Sequence, residues 1–315
     1  MNHLVLRLGM LAALIPALPA TSQTASGPRY TVAETGQTFA RLQDAVNAIG
    51  AGSGTIRVAS GRHADCAVQT QGDVAYTAAV PGEAVFEGTA CEGNAAIVLR
   101  GRSARVEGLT FANIAVGDFN GAGLRLEKGD LAVRQSWFRD SQQGILTGAD
   151  PTATLTIDKS TFTRLGTCEG PGGCAHSVYV GEIAALSVTR TRFEEGRGGH
   201  YLKSRAGRIA VTDSSFDDSA GRATNYMIDL PGGATGRIAG NWFVQGANKE
   251  NHSAFITVAP EGRQHDSSGL VIEGNDARFA PAVTWPSVFV AVWGGDSPKI
   301  GPNSLAAKLK VSERR

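Results

Sequence analysis

One short pattern of apolar and polar positions returns along most of the chain. It reads apolar, any residue, β-branched apolar, two residues of turn character, a small polar residue, any residue, then Phe. The copies are "ARVEGLTF", "LAVRQSWF", "LTIDKSTF", "LSVTRTRF", "IAVTDSSF", "GRIAGNWF", "LVIEGNDA" and "PKIGPNSL". Their β-branched positions are Val106, Val133, Ile157, Val188, Val211, Ile238, Ile272 and Ile300, spaced 23 to 34 residues apart. Five residues on stand Phe111, Phe138, Phe162, Phe193, Phe216 and Phe243, then Ala277 and Leu305. Three residues on stand Ser136, Ser160, Thr191, Ser214, Asn241, Asn275 and Asn303; only Leu109 breaks that series.

Alternation followed by a polar residue predicts a short strand, a bend whose side chain bonds turn backbone, and a second inward aromatic. Such a unit cannot bury its own apolar side, so neighbours must stack on it. Repeats of this length with no helical period predict the coils of a parallel β-helix. Uneven spacing fits, because loops outside the core absorb insertions. A leucine-rich repeat would need a regular Leu grid and Asn or Cys at fixed register, which the chain lacks. One helix is predicted in "TFARLQDAVNAIG", where Phe39, Leu42, Val46 and Ile49 fall at helical spacing. Thr38 is its expected N-cap and Gly50 its stop. It would cover the open apolar end of the stack.

The stretch "TFARLQDAVNAIGAGSGTIRVASGRH" resembles the cap helix and first strand that open many pectate-lyase-like right-handed β-helix proteins. The segments "HSVYVG", "GHYLKSRA", "NYMIDLPGG" and "NWFVQGANKENHSAFITVAPEG" resemble consecutive coils of exported bacterial members of that superfamily. The resemblance implies an all-β, single-stranded right-handed parallel β-helix with an N-terminal helical cap. The expected organisation is a leader over 1–22, an N-terminal segment with the cap helix over 23–60, the β-helix over 61–305 and a tail over 306–315.

The leader follows from "MNHLVLRLGMLAALIPALPA", with Arg7, a short apolar run and small residues before a polar stretch. That is a signal-peptide layout, too short to span a bilayer comfortably. The expected product is secreted or periplasmic, with no membrane span. The net charge of +1 argues against nucleic acid as a partner. Four cysteines in an exported chain suggest disulfides, and of three pairings proximity favours Cys66–Cys91 and Cys168–Cys174. With no CxxC pair or clustered His, zinc is not expected.

The candidate chemistry gathers between 176 and 265. Strict alternation turns Val178, Val180, Leu202, Ile228, Leu230, Ile256 and Val258 inward. It leaves Tyr179, Tyr201, Lys203, Arg205, Met227, Asp229 and Thr257 outward. Stacking then predicts one outward column of Tyr179, Lys203, Asp229 and Thr257. Loops bring His176, Glu250, Asn251, His252 and Glu261 beside it. His63 and His265 read as ordinary surface residues.

A long shallow face suits an extended, acidic polysaccharide. Elimination on a uronate needs a cation for the carboxylate, a base for the neighbouring proton and an acid for the leaving oxygen. Arg205 suits the first, because guanidinium pairs with carboxylate in a bidentate way. Lys203 or His200 suits the base, and Tyr179 or Tyr201 the acid. The division of labour is similar to that of β-helix lyases of the alginate-lyase and chondroitinase-B kind. There the Lys and Arg come from different coils and calcium helps. Here Lys203 and Arg205 share one strand, and no clustered carboxylate set marks a calcium site, so no cofactor is expected, with calcium the one left open. Glycoside hydrolysis would instead need Asp229 with Glu250 or Glu261. A third reading is binding or surface assembly without catalysis. The plainest reading makes Lys203–Asp229 a surface ion pair worth about 0–1 kcal/mol, with His200 turned inward.

Overall fold

The computed structural model describes residues 28–315, so the expected leader lies outside the described residues. The chain is a right-handed parallel β-helix. Each full coil gives one strand to each of three sheets, which hold 12, 10 and 10 strands. "IAVTDSSF" shows the logic. Arg208–Thr212 lies in the first sheet and Ser215–Asp217 in the second, with one tight turn between. Longer loops lead from most coils to the third sheet, and short turns bring most of them back to the first. Parallel pairing runs from Ser53–Val58 with Asp73–Ala78 to Ser287–Val292 with Leu309–Arg314. It therefore includes residues expected in the cap segment and the tail.

The inward aromatics form one file. Phe86, Phe111, Phe138, Phe162, Phe193, Phe216 and Phe243 stack with neighbouring ring centroids 4.7–5.6 Å apart. All are buried. His63 continues the file below Phe86, with ring centroids 5.4 Å apart. It is 2 % exposed, which corrects its reading as a surface residue. Its Nε2–H meets the Ala59 carbonyl at 2.8 Å.

The small polar series forms a second ladder. Each backbone N–H donates to the next coil's side-chain oxygen. The order is Ser136 to Ser160, Thr191, Ser214, Asn241, Asn275 and Asn303, at 3.0–3.5 Å. The residue just before each polar one from Ser136 to Asn275 takes positive φ, as Gln135 (47°), Asp213 (51°) and Gly240 (68°) do. Chain reversal in so few residues requires that left-handed step. Leu109, the exception in the polar series, is buried in the core instead.

The cap helix spans Leu42–Ile49 and buries Leu42, Ala45 and Val46. Thr38 is not its N-cap. It lies in a short strand paired with Tyr30–Val32, and the Asp65 carboxylate accepts the Leu42 N–H at 2.8 Å. Gly50 closes the helix with its N–H on the Val46 carbonyl. Both expected disulfides form, Cys66–Cys91 and Cys168–Cys174. Among the described residues no helix is long and apolar enough to cross a membrane.

Candidate active site on the third sheet

The third sheet carries the strands Val178–Val180, Leu202–Ser204, Ile228–Leu230 and Ala254–Val258 in consecutive coils. Their register pairs Tyr179 with Lys203, Lys203 with Asp229, and Asp229 with Thr257. With rungs about 4.8 Å apart, residues about 25 positions apart in sequence become neighbours on one outer face.

Two expected members of that face are elsewhere. Tyr201 and Met227 are buried in the core, at 1 % and 0 % exposure. The cause is a corner. Entering each third-sheet strand the chain bends, so two successive residues face inward. Tyr201–Leu202, Met227–Ile228, Phe255–Ile256 and Phe289–Val290 all do so. On earlier coils Gly144 holds the same corner, where a Cβ would stand 2.7 Å from Phe162 Cδ1. Tyr201 instead donates its hydroxyl to Asp218 Oδ1 at 2.8 Å. Burial and the Asp218 charge push that phenol up, away from proton transfer at neutral pH.

The outer face has a second column that alternation did not reveal. His176, His200 and Tyr226 stack, with ring centroids 4.9 and 5.5 Å apart. His176 Nδ1 accepts the His200 N–H at 2.9 Å, and His200 Nδ1 accepts the Tyr226 N–H at 3.2 Å. Both imidazoles are thus neutral tautomers with the proton on Nε2. His200 Nε2–H faces Asp229 Oδ2 at 3.4 Å. Burial, with the Lys203 charge, pushes His200 down to about 3. Burial and the neighbouring His200 and Lys203 push His176 down too. With both ring nitrogens engaged, His200 is not a free base. Tyr226 was missed because the corner shifts which residue of "NYMID" turns outward.

Lys203 and Arg205 converge. Lys203 Nζ lies 2.7 Å from Glu261 Oε1 and 3.5 Å from Asp229 Oδ2. Arg205 Nη2 pairs with Glu261 Oε2, and Arg205 Nε donates to the Tyr179 hydroxyl oxygen at 3.1 Å. The Lys203 and Arg205 side chains are 13 % and 20 % exposed, whereas Glu261 is 45 % exposed. Burial works to raise Glu261, but hydrogen bonds from Lys203 and Arg205 hold it at about 2. Asp229 goes the other way. Burial raises it, against the Thr257 hydroxyl at 2.6 Å and the Lys203 charge.

The remaining candidates stand further from these cations. Asn251 Nδ2 donates to the Tyr226 hydroxyl at 2.6 Å. His252 packs on Trp285, with centroids 4.5 Å apart. Glu250 accepts from Asn225 at 3.0 Å and lies 3.8 Å from Cys174 Sγ. That sulfur is in a disulfide, so Cys168, Cys174 and Glu250 are no metal centre. Trp242 is 42 % exposed but stands on the second sheet. A pocket of about 340 Å³, lined by Pro151, Glu182, Ile183, Gln264 and His265, opens beside Arg205. Two larger hollows, each of about 610 Å³, lie on the outer face of the first sheet, away from this chemistry.

Comparison with protein-family models and with curated proteins returns no match. Several solved structures are similar, two of them as follows. ORF18 of Geobacillus virus E2 aligns over 86% of this chain at 14% identity and a TM-score of 0.47. The alignment spans 56% of that protein, and the likeness is too distant to carry an argument. An alginate lyase from Paenibacillus sp. str. FPU-7 aligns over 86% of this chain and 94% of its own length. Its identity is 14% and its TM-score 0.50, a likeness of fold. The right-handed parallel β-helix of this chain is thus an architecture that a polysaccharide lyase also has.

Proposed function

We propose that the chain acts on an extended uronate-containing polysaccharide and cleaves it by β-elimination on the outer face of the third sheet. The observation that carries this reading is the convergence of Lys203 and Arg205 on one carboxylate, with the Tyr179 hydroxyl held against Arg205. Elimination requires an acidic proton at C5 of the uronate, and neutralising the neighbouring carboxylate makes it so. Lys203 and Arg205 supply two cations for it. Tyr179 is the proton carrier. A phenolate there has its charge beside the Arg205 guanidinium, and it takes the proton at C5. The C4–O4 bond breaks, the C4=C5 double bond forms, and O4 receives the proton from Tyr179. No water is consumed, and Tyr179 returns to its starting state. His200 and Thr257 orient Asp229, which holds Lys203 from below.

One observation favours a second reading. Asp229 is raised while Glu261 is held low, the split that a hydrolytic acid and base use. It comes second because the Asp229 side chain is only 3 % exposed and its oxygens already meet Thr257, His200 and Lys203. Incubation with alginate, polygalacturonate and a neutral glucan separates the readings. Elimination yields the ultraviolet absorbance of an unsaturated uronate, lost in Lys203→Ala. New reducing ends without that absorbance support hydrolysis. Retention on the polymer with neither product supports binding alone and removes the lyase reading.

A further inference from the structure

We infer that Glu261 occupies the seat of the substrate carboxylate, so that a uronate binds by displacing this side chain from Lys203 and Arg205. The inference rests on the lyase reading above and specifies its subsite. A carboxylate is planar with two equivalent oxygens, and here each oxygen goes to a different cation, Oε1 to Lys203 and Oε2 to Arg205. The ligand class is therefore a sugar carboxylate rather than a neutral hydroxyl. The cations keep other partners when Glu261 leaves, Lys203 having Asp229 and Arg205 having Tyr179. The cations are largely covered and Glu261 is half-exposed, so the open side of the seat is the side Glu261 fills. The pocket beside Arg205 gives a neighbouring sugar room.

Displacement needs only side-chain rotation. The Glu261 backbone N–H is held by the Pro231 carbonyl at 3.1 Å, and Gln264 and His265 donate to the Gly232 carbonyl at 2.9 and 2.8 Å. Arg263 Nε ties the same loop to Asp296 at 2.6 Å. With the backbone pinned, the carboxylate swings about its own torsions while the loop stays in place. A second anion cannot share the seat, because like charges at contact distance repel.

The test compares Glu261→Gln with Asp266→Asn, an exposed carboxylate on the same loop that meets Arg263 at 3.5 Å and neither seat cation. Both substitutions remove one negative charge. Each is assayed for KM and kcat on alginate and polygalacturonate, and for retention in gels containing these polymers. Glu261→Gln is expected to lower KM and increase retention about fivefold, as two ion pairs on a half-exposed carboxylate are released. Asp266→Asn is expected to change neither. Glu261→Asp, whose shorter arm reaches one cation, should fall between. A raised KM or lost turnover in Glu261→Gln, with cleavage by the unsubstituted protein intact, overturns the inference and leaves the lyase reading standing. An equal gain in Asp266→Asn also overturns it, since global charge then suffices. If no form binds or cleaves either polymer, the lyase reading falls and takes this inference with it.

Discussion

Two Lys–Asp pairs lie on neighbouring coils, one sealed in the interior and one on the outer face beneath an exposed loop carboxylate. Lys249 and Asp218 are both 0 % exposed, with Nζ and Oδ2 2.9 Å apart. The hydroxyls of Tyr201 and Thr224 and the Gly246 N–H complete the Asp218 shell. Every acceptor is used, so the pair is a closed polar knot at the corner between the second and third sheets. Lys203 and Asp229 face the other way, on the outer surface, and their Nζ–Oδ2 distance is 3.5 Å. The Lys203 ammonium bonds more closely to an exposed loop carboxylate than to its own strand neighbour. The same two residue types thus serve as a strut where every bond is internal and as a site where one partner can be exchanged. Access makes the difference.

The sharpest break between the two is kinetic. Tyr179→Phe removes the proposed proton carrier and leaves the ring. Turnover on a uronan is expected to fall by about 10²–10⁴-fold, with thermal stability nearly unchanged. Tyr201→Phe, at the sealed pair, should do the reverse. A Tyr179→Phe protein that keeps its turnover would reassign the carrier. Next in size is the strut itself. Lys249→Ala leaves a buried carboxylate without its cation and should cost about 3–5 kcal/mol, read from chemical denaturation. Lys203→Ala should cost less, about 1–3 kcal/mol, since Glu261 keeps Arg205, and Asp229 keeps the Thr257 hydroxyl and is already raised toward its neutral form. Equal losses in the two variants would erase the distinction.

How legible was this from sequence? The Phe file and the polar ladder are periodic, so period alone placed them. The register of Tyr179, Lys203, Asp229 and Thr257 followed from the same period. Alternation failed at the corner, where two successive residues turn inward and Tyr201 and Met227 leave the surface. A signal existed. Tyr201 lines up with Gly144, Ser177, Met227, Phe255 and Phe289, a series of small then large residues that suits an interior growing away from the Phe file. The Glu261 contact was illegible, because a loop outside the repeat carries no register. His63 was misread because it precedes the first recognisable copy, although it closes the aromatic file.

The smallest effect, read as a slope near neutral pH, concerns the outer face alone. His176 and His200 are buried as neutral imidazoles, both held below their ordinary value, His200 at about 3. In the unfolded chain each takes a proton near pH 6.5. Between pH 6.5 and about 3 the unfolded state therefore binds more protons, and stability falls as pH falls. From pH 6.5 to 5.5 the loss is about 1 kcal/mol per imidazole, approaching about 1.4 kcal/mol per further pH unit. Asp229 has the opposite sign. Its raised value lets the folded form hold a proton more readily, so acidification through its window adds stability. Glu261, held at about 2, loses its contribution only between about pH 4.5 and 2. The imidazole contribution is isolated by the slope of melting temperature against pH, compared between the unsubstituted protein and His200→Gln. A flatter slope in His200→Gln above pH 5 is the expected result. An unchanged slope would mean that His200 titrates alike in the folded and unfolded chain, against the neutral form that its contact with the Tyr226 N–H requires.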